Sequence, residues 1–406
     1  MRTEDELAGA LRRAAELAPE PDLLAGLAVR RRRRTRKRAQ AALAVVAVIG
    51  VAGAGTALAR GGLGGPSANT GETSVHSGPT PSSEAPVSSG PIEEVWPQAV
   101  FTMKATNADN WRYRPITGTS ATTLLLNAES SFEKAGAIEL YESATGESRV
   151  ITKVPVTKGL KRYFPQATAA DQSNVAWYVT ATKDGEPVTE FWTAPLAGGE
   201  ARQIASFAEG DLGVESIALA GEHVVWSVKE GGVFRLPLSG GAPEQLPGSG
   251  GLHLIQWPWA GDVAAGREDM DANQSKVVNL ETGEVRPILV PDEVRGLRCG
   301  PVWCHGWRAA GIGFAQRVDG TRPRVIPGLP MSRGLSRYPI LDRFLLGNDK
   351  IHDLETGTIV TYTSTGSWNG VGTSFEPSTI VYWGTTKGDR PAEYGVVNLA
   401  AVPPAQ

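Results

Sequence analysis

Cys299 and Cys304 bracket Gly-Pro-Val-Trp, and His305 follows directly. Two chemistries compete for this pattern. One is a disulfide that pins a loop or strand end. The other reads C-x4-C-H as a stretched C-x-x-C-H haem attachment. Covalent haem needs a second axial ligand, and no residue marks one. Zinc fits less well still, because two cysteines and one adjacent histidine lack the paired spacing of a four-ligand site. The expectation is a disulfide between Cys299 and Cys304, formed outside the cytoplasm. Its loop is short, so the stabilisation is on the order of 2 kcal/mol or less.

Asp269, Asp271 and Asn273 form D-x-D-x-N, a set of oxygen ligands suited to Ca²⁺. An EF-hand loop wants Gly at its sixth position and Glu at its twelfth, where this chain has Gln274 and Leu280. The same repeat position carries KDGE (183–186), KEGG (229–232) and KGDR (387–390), which read as hairpin turns. Turn chemistry accounts for the Asp and Asn residues. No G-x-S-x-G nucleophile elbow and no phosphate-cradling G-x-x-x-x-G-K-[ST] occur, and the five histidines stand apart from nucleophile motifs. No catalytic residue, cofactor or metal is expected on these grounds.

Eleven tryptophans leave ligand stacking as the remaining chemistry. Trp177 and Trp226 occupy equivalent strand positions and read as packing between repeats. Trp257 and Trp259 differ: Pro258 between them interrupts regular strand pairing, so QWPWAG is the candidate ligand loop.

These residues sit on a repeating strand pattern. FWTAPLAGGEARQI, VFRLPLSGGAPEQL, KVVNLETGEVRPI and KIHDLETGTIVTY are its clear copies. IELYESATGESRVI and GFAQRVDGTRPRVI are weaker ones, and YGVVNLAAV lacks its last strand. Adjacent copies start roughly 36 to 53 residues apart, which suits one four-stranded blade each. The fold class expected over residues 95–406 is therefore all-β, a β-propeller of seven blades with six as the alternative. AVFTMKA at 99–105 can supply the missing outer strand of the last blade.

The N-terminal quarter is of another kind. Thr3 and Glu6 form a capping box ahead of Leu7, Leu11, Ala14 and Ala18, so residues 1–38 read as a short helical tail. Arg30, Arg31, Arg32, Arg33, Arg34, Arg36, Lys37 and Arg38 then meet an uncharged run from Ala41 to Ala59. Residues 39–59 are long enough to cross a bilayer as one helix. The cationic cluster holds the N-terminus in the cytoplasm and contacts lipid headgroups. An alternative is cleavage after Ala57-Leu58-Ala59, which fits a signal-peptidase site. Residues 60–94, rich in Gly, Ser, Pro and Thr, read as a disordered linker. Residues 1–40 carry eleven Lys/Arg against six Asp/Glu, a net of +5, so the other 366 residues carry −8. That acidic balance argues against a nucleic-acid partner for the main domain.

The L-S-G-G-A-P-E-Q-L and L-A-G-G-E-A-R-Q-I segments resemble outer hairpins of TolB-like and WD40-like bacterial propellers, although the S-P-D-G signature of those repeats is absent. The L-x-x-A-L-R-R-A-A-E-L-A-P-E-P-D-L-L-A-G-L tail and its Arg run resemble actinobacterial single-pass proteins, some of them similar to anti-sigma regulators. There is no His or Cys in residues 1–40, so the zinc motif of one anti-sigma group is missing. Together these readings imply a single-span membrane protein presenting an extracellular propeller. It would bind a protein or glycan outside, with residues 1–38 open to a cytoplasmic protein. A propeller-based surface enzyme and a sigma-factor regulator are the competing classes.

Overall fold

The structure is a computed structural model. It describes residues 89–405, apart from 132–133, 209–212, 265–269, 330–336, 348, 363–377 and 386–390. The tail, the expected membrane helix and nearly all of the linker lie outside the described residues. Among the described residues no helix is long and apolar enough to cross a membrane.

The described strands form seven separate sheets. Blades 1 to 5 run in chain order over 112–153, 161–207, 214–245, 253–287 and 295–326, each a four-stranded antiparallel meander. Blade 6 contains Phe344–Leu346, Lys350–Asp353 and Ile359–Thr361, and blade 7 contains Ile380–Gly384 and Glu393–Asn398. Each main apolar cluster straddles two neighbouring sheets. Leu125, Ile138 and Leu140 of blade 1 pack on Trp177 of blade 2, and Met103 and Tyr394 of blade 7 pack on Leu124 and Ala137 of blade 1. The seven sheets thus close into a propeller. Trp226 of blade 3 meets Phe191 of blade 2 at 4.7 Å between ring centres, so both repeat-position tryptophans lie between blades.

Val100–Lys104 closes the ring. It pairs antiparallel with Glu393–Asn398 as the outer strand of blade 7. Ser89–Pro91 adds a further, parallel strand beyond Ile359–Thr361 in blade 6, and Ile92–Val95 makes one helical turn. The described structure therefore begins at Ser89, inside the segment assigned above to the linker. The cause is Ile92, which is wholly buried against Trp96, Phe344 and Val360. A Pro/Gly/Ser-rich composition hides a single apolar anchor of this kind.

The seam between blades 7 and 1 is heavily hydrogen-bonded. Ser378 Oγ donates to the Ile116 carbonyl at 2.7 Å, Thr379 Oγ1 accepts from Gly118 N at 2.9 Å, and Asn398 Nδ2 donates to the Ser120 carbonyl at 2.8 Å. The turns between third and fourth strands explain the recurring glycine: Gly146, Gly198, Gly240, Gly283, Gly320 and Gly357 all have φ between +73° and +112°. A side chain would be strained in that left-handed conformation.

Candidate functional site

In an antiparallel meander the first and third turns of every blade emerge at one end of the ring. At that end the inner-strand termini of blades 1 to 5, with Tyr338 to Leu341 ahead of blade 6 and Ser378 and Thr379 ahead of blade 7, surround a cavity of about 400 Å³. Its wall runs through Thr117 and Gly118, Thr168 to Ala170, Ile217 to Leu219, Ile255 to Trp257, Gly300, Tyr338 to Leu341, and Ser378 and Thr379. The described wall contains no Lys, Arg, His, Asp or Glu. Small side chains dominate because the blades converge there and leave little width.

The structure separates the two tryptophans of QWPWAG. Trp257 occupies the turn, precedes a cis proline, and lines the cavity; its Nε1 donates to Glu281 Oε1 at 3.2 Å. Trp259 begins the next strand, packs with the apolar cluster between blades 4 and 5, and carries the Arg286 guanidinium 4.5 Å above its ring. Trp259 is not part of the cavity wall.

Also in the cavity wall, Leu341 is 45% exposed, and both Leu341 and Asp342 hold φ at +52°. Consecutive non-glycine residues in the left-handed region are strained unless the surroundings hold them. The Asp342 carboxylate supplies that hold by accepting the backbone N–H of Trp303 at 2.9 Å and that of Val302. These N–H groups belong to the turn closed by the Cys299–Cys304 disulfide, whose cysteines face each other across the strand pair with Cα atoms 3.9 Å apart. Burial pushes the Asp342 carboxyl up to about 7, against the lowering effect of its two N–H donors. Disulfide, turn, Asp342 and Leu341 form one mechanical chain ending at the cavity rim.

Gly300 is the joint in that chain. A Cβ placed there would sit 2.3 Å from Asp342 Oδ1. Gly300→Ala is expected to destabilise the protein by about 1–3 kcal/mol through overpacking. Asp342→Ala should recover part of that loss, and a urea-denaturation double-mutant cycle checks the coupling. An additive cycle would break the chain at this joint.

Two buried carboxylates elsewhere are matched to structural partners. Glu139 accepts from Tyr113 Oη at 2.8 Å and Asn107 Nδ2 at 2.9 Å, and Glu190 accepts from Thr157 Oγ1 at 2.9 Å and Trp192 Nε1 at 3.1 Å. His253 and Glu215, on the inner strands of blades 4 and 3, meet at 2.7 Å and are both nearly buried. Of the D-x-D-x-N residues, Asp269 lies outside the described residues. Asp271 is in a turn, and Asn273 bridges to blade 5, accepting from Leu297 N and donating to the Val294 carbonyl, each at 2.9 Å. Among the described residues no cluster of His, Cys, Asp or Glu could hold a metal ion. His305, next to the disulfide, is occupied as well: its Nε2–H donates to the Arg337 carbonyl at 2.9 Å. Arg30 to Arg38 lie outside the described residues.

No family model matches the chain, and no curated protein is similar enough to match it. Solved structures do share its general architecture. The C-terminal WD40 domain of Sif2 is 10% identical over 75% of this chain and 98% of that one, with a TM-score of 0.42. Oligogalacturonate lyase from Vibrio parahaemolyticus is 10% identical over 70% and 76%, at 0.38. BamB from Moraxella catarrhalis is 10% identical over 71% and 86%, at 0.37. At such scores these likenesses carry no functional argument, and the blade count rests on the strand pairing itself.

Proposed function

We propose that this chain is a membrane-anchored binding protein: residues 39–59 span the bilayer, the propeller lies outside the cell, and a ligand enters the channel mouth. The observation that carries the binding reading is the cavity lined from all seven blades or the segments leading into them, with Trp257 and Leu341 both in its wall. A rigid ring holding an aromatic and an exposed aliphatic side chain around a concave mouth is the ordinary form of a recognition site. The Arg30–Arg38 cluster and the uncharged run after it support the topology. Residues 1–38 then remain inside, available to a cytoplasmic protein. An extracytoplasmic enzyme is the second reading. It is favoured by the His253–Glu215 pair, an acid–base couple at 2.7 Å on adjacent inner strands.

Protease added to intact cells should digest the propeller while sparing residues 1–38. Hydrogen exchange of the full-length protein should slow at 168–170, 256–257 and 338–341 when an envelope extract is added. A protease-resistant propeller in intact cells overturns the topology, and unchanged exchange at those segments overturns the binding site.

A further inference from the structure

We infer that the channel mouth takes an uncharged sugar, with one pyranose ring stacked on Trp257. This rests on the binding reading above and goes further by fixing the chemical class of the ligand.

Charge comes first. The described wall offers neither cation nor anion, so none of its side chains would replace the hydration that an ionised ligand loses. A carboxylated or phosphorylated molecule is therefore disfavoured and a neutral one admitted.

Polarity comes second. In blades 2 to 4 the innermost strand of each sheet pairs on one side only, as Val214–Ala220 does with His223–Val228. The other edge, with its N–H and C=O groups, faces the channel. A purely apolar ligand would displace water from those edges and return no hydrogen bonds. A polyhydroxylated ligand returns several. The seam hydroxyls of Ser378 and Thr379 already serve the joint between blades 7 and 1, so the strand edges, the Gln256 amide and the Thr168 hydroxyl are among the polar groups on offer.

The third element is a flat apolar surface. Trp257 provides it with the part of its indole not packed against the apolar clusters of blades 3 and 4, and that packing and the Glu281 hydrogen bond hold the ring, so little side-chain entropy is lost on stacking. Leu341, held by the Asp342 anchor, adds an exposed aliphatic side chain to the same wall. A pyranose combines an apolar C–H face with an equator of hydroxyls, which is the pairing this wall requires. At about 400 Å³ the cavity falls at the small end of ligand pockets, roughly 300–1,000 Å³.

Full-length protein in lipid nanodiscs is titrated with cellobiose, maltose and lactose by saturation-transfer-difference NMR, and with digalacturonate as the charged counterpart. At least one neutral disaccharide should bind saturably, with digalacturonate weaker by about tenfold or more. Trp257→Ala should weaken that binding by about tenfold, while Trp257→Phe, which keeps a flat ring, should retain most of it. Circular dichroism and the thermal midpoint confirm that each variant is folded. Failure of all three neutral sugars to bind overturns the inference, as does unchanged affinity in folded Trp257→Ala. If envelope extract slows exchange at the channel mouth while no neutral sugar binds, the sugar class fails and the binding site stands. If neither occurs, both fall.

Discussion

A chain shortened to residues 107–406 should not fold cooperatively, whereas one that begins at Ser89 should. The shortened chain keeps every inner strand described here but loses Val100–Lys104, the outer strand of blade 7. It also loses Ile92, Trp96 and Met103, all at most 6% exposed. Burying each such side chain is worth about 1.5–3 kcal/mol, and five residues of backbone pairing go with them. Total stability of a domain is only about 5–15 kcal/mol, so the loss approaches or exceeds all of it. The truncation also bares the edge of Glu393–Asn398, an open template for pairing with other chains. Urea unfolding followed by tryptophan fluorescence should show a single transition for 89–406 and none for 107–406. A synthetic 89–106 peptide should restore the transition in trans. A sharp transition in 107–406 alone would show that the ring does not depend on its strand from the N-terminal side.

The closing strand was legible because it has what the last repeat lacks. YGVVNLAAV ends without an outer strand, and AVFTMKA offers one with the right alternation. Blade number was readable to seven with six as the alternative, since a glycine returns at each of the six turns that join third and fourth strands, where φ is positive and only glycine is comfortable. Ser89–Pro91 was not legible. A three-residue strand has no periodicity, and its neighbours Ser, Gly and Pro read as linker. Only burial of Ile92 reveals the segment, and burial is a property of the partner surface on blade 6.

The site was legible by halves. Pro258 flagged the turn that carries Trp257, but the same reading took in Trp259, because residue type cannot say which of two close tryptophans faces a channel and which packs between blades. Leu341 and Asp342 left no trace. A left-handed pair normally announces itself as Gly or Asn, and here the conformation is imposed from outside, by hydrogen bonds from a turn about forty residues earlier. The Cys299–Cys304 pair was readable as a disulfide from its spacing, whereas its connection to the cavity through Gly300 and Asp342 exists only in three dimensions.

That connection also shapes the response to acid. His305 and His352 are buried, and burial holds both imidazoles down to about 4. Between that value and the ordinary 6.5 the unfolded chain binds protons that the folded one refuses, so stability falls as pH drops through this window. The two shifts correspond to roughly 3 kcal/mol each at most. Asp342 acts in the opposite sense. Its carboxyl, pushed up to about 7, is protonated in the folded state while the unfolded one is ionised. Its contribution is therefore complete below about 4 and is lost as pH rises toward 7, by about 4 kcal/mol at most. The opposed effects should leave the native protein with a shallow loss of stability, about 2–3 kcal/mol between pH 7 and pH 4. Asp342→Asn keeps an oxygen acceptor for Val302 and Trp303 but cannot titrate. It should be more stable than the native chain at pH 8 and should lose stability about twice as steeply on acidification. Urea midpoints measured at half-unit steps from pH 8 to pH 4 test this. Parallel curves for the two proteins would mean that Asp342 is ionised throughout, and that the grip on the rim turn is electrostatic instead of a neutral hydrogen bond.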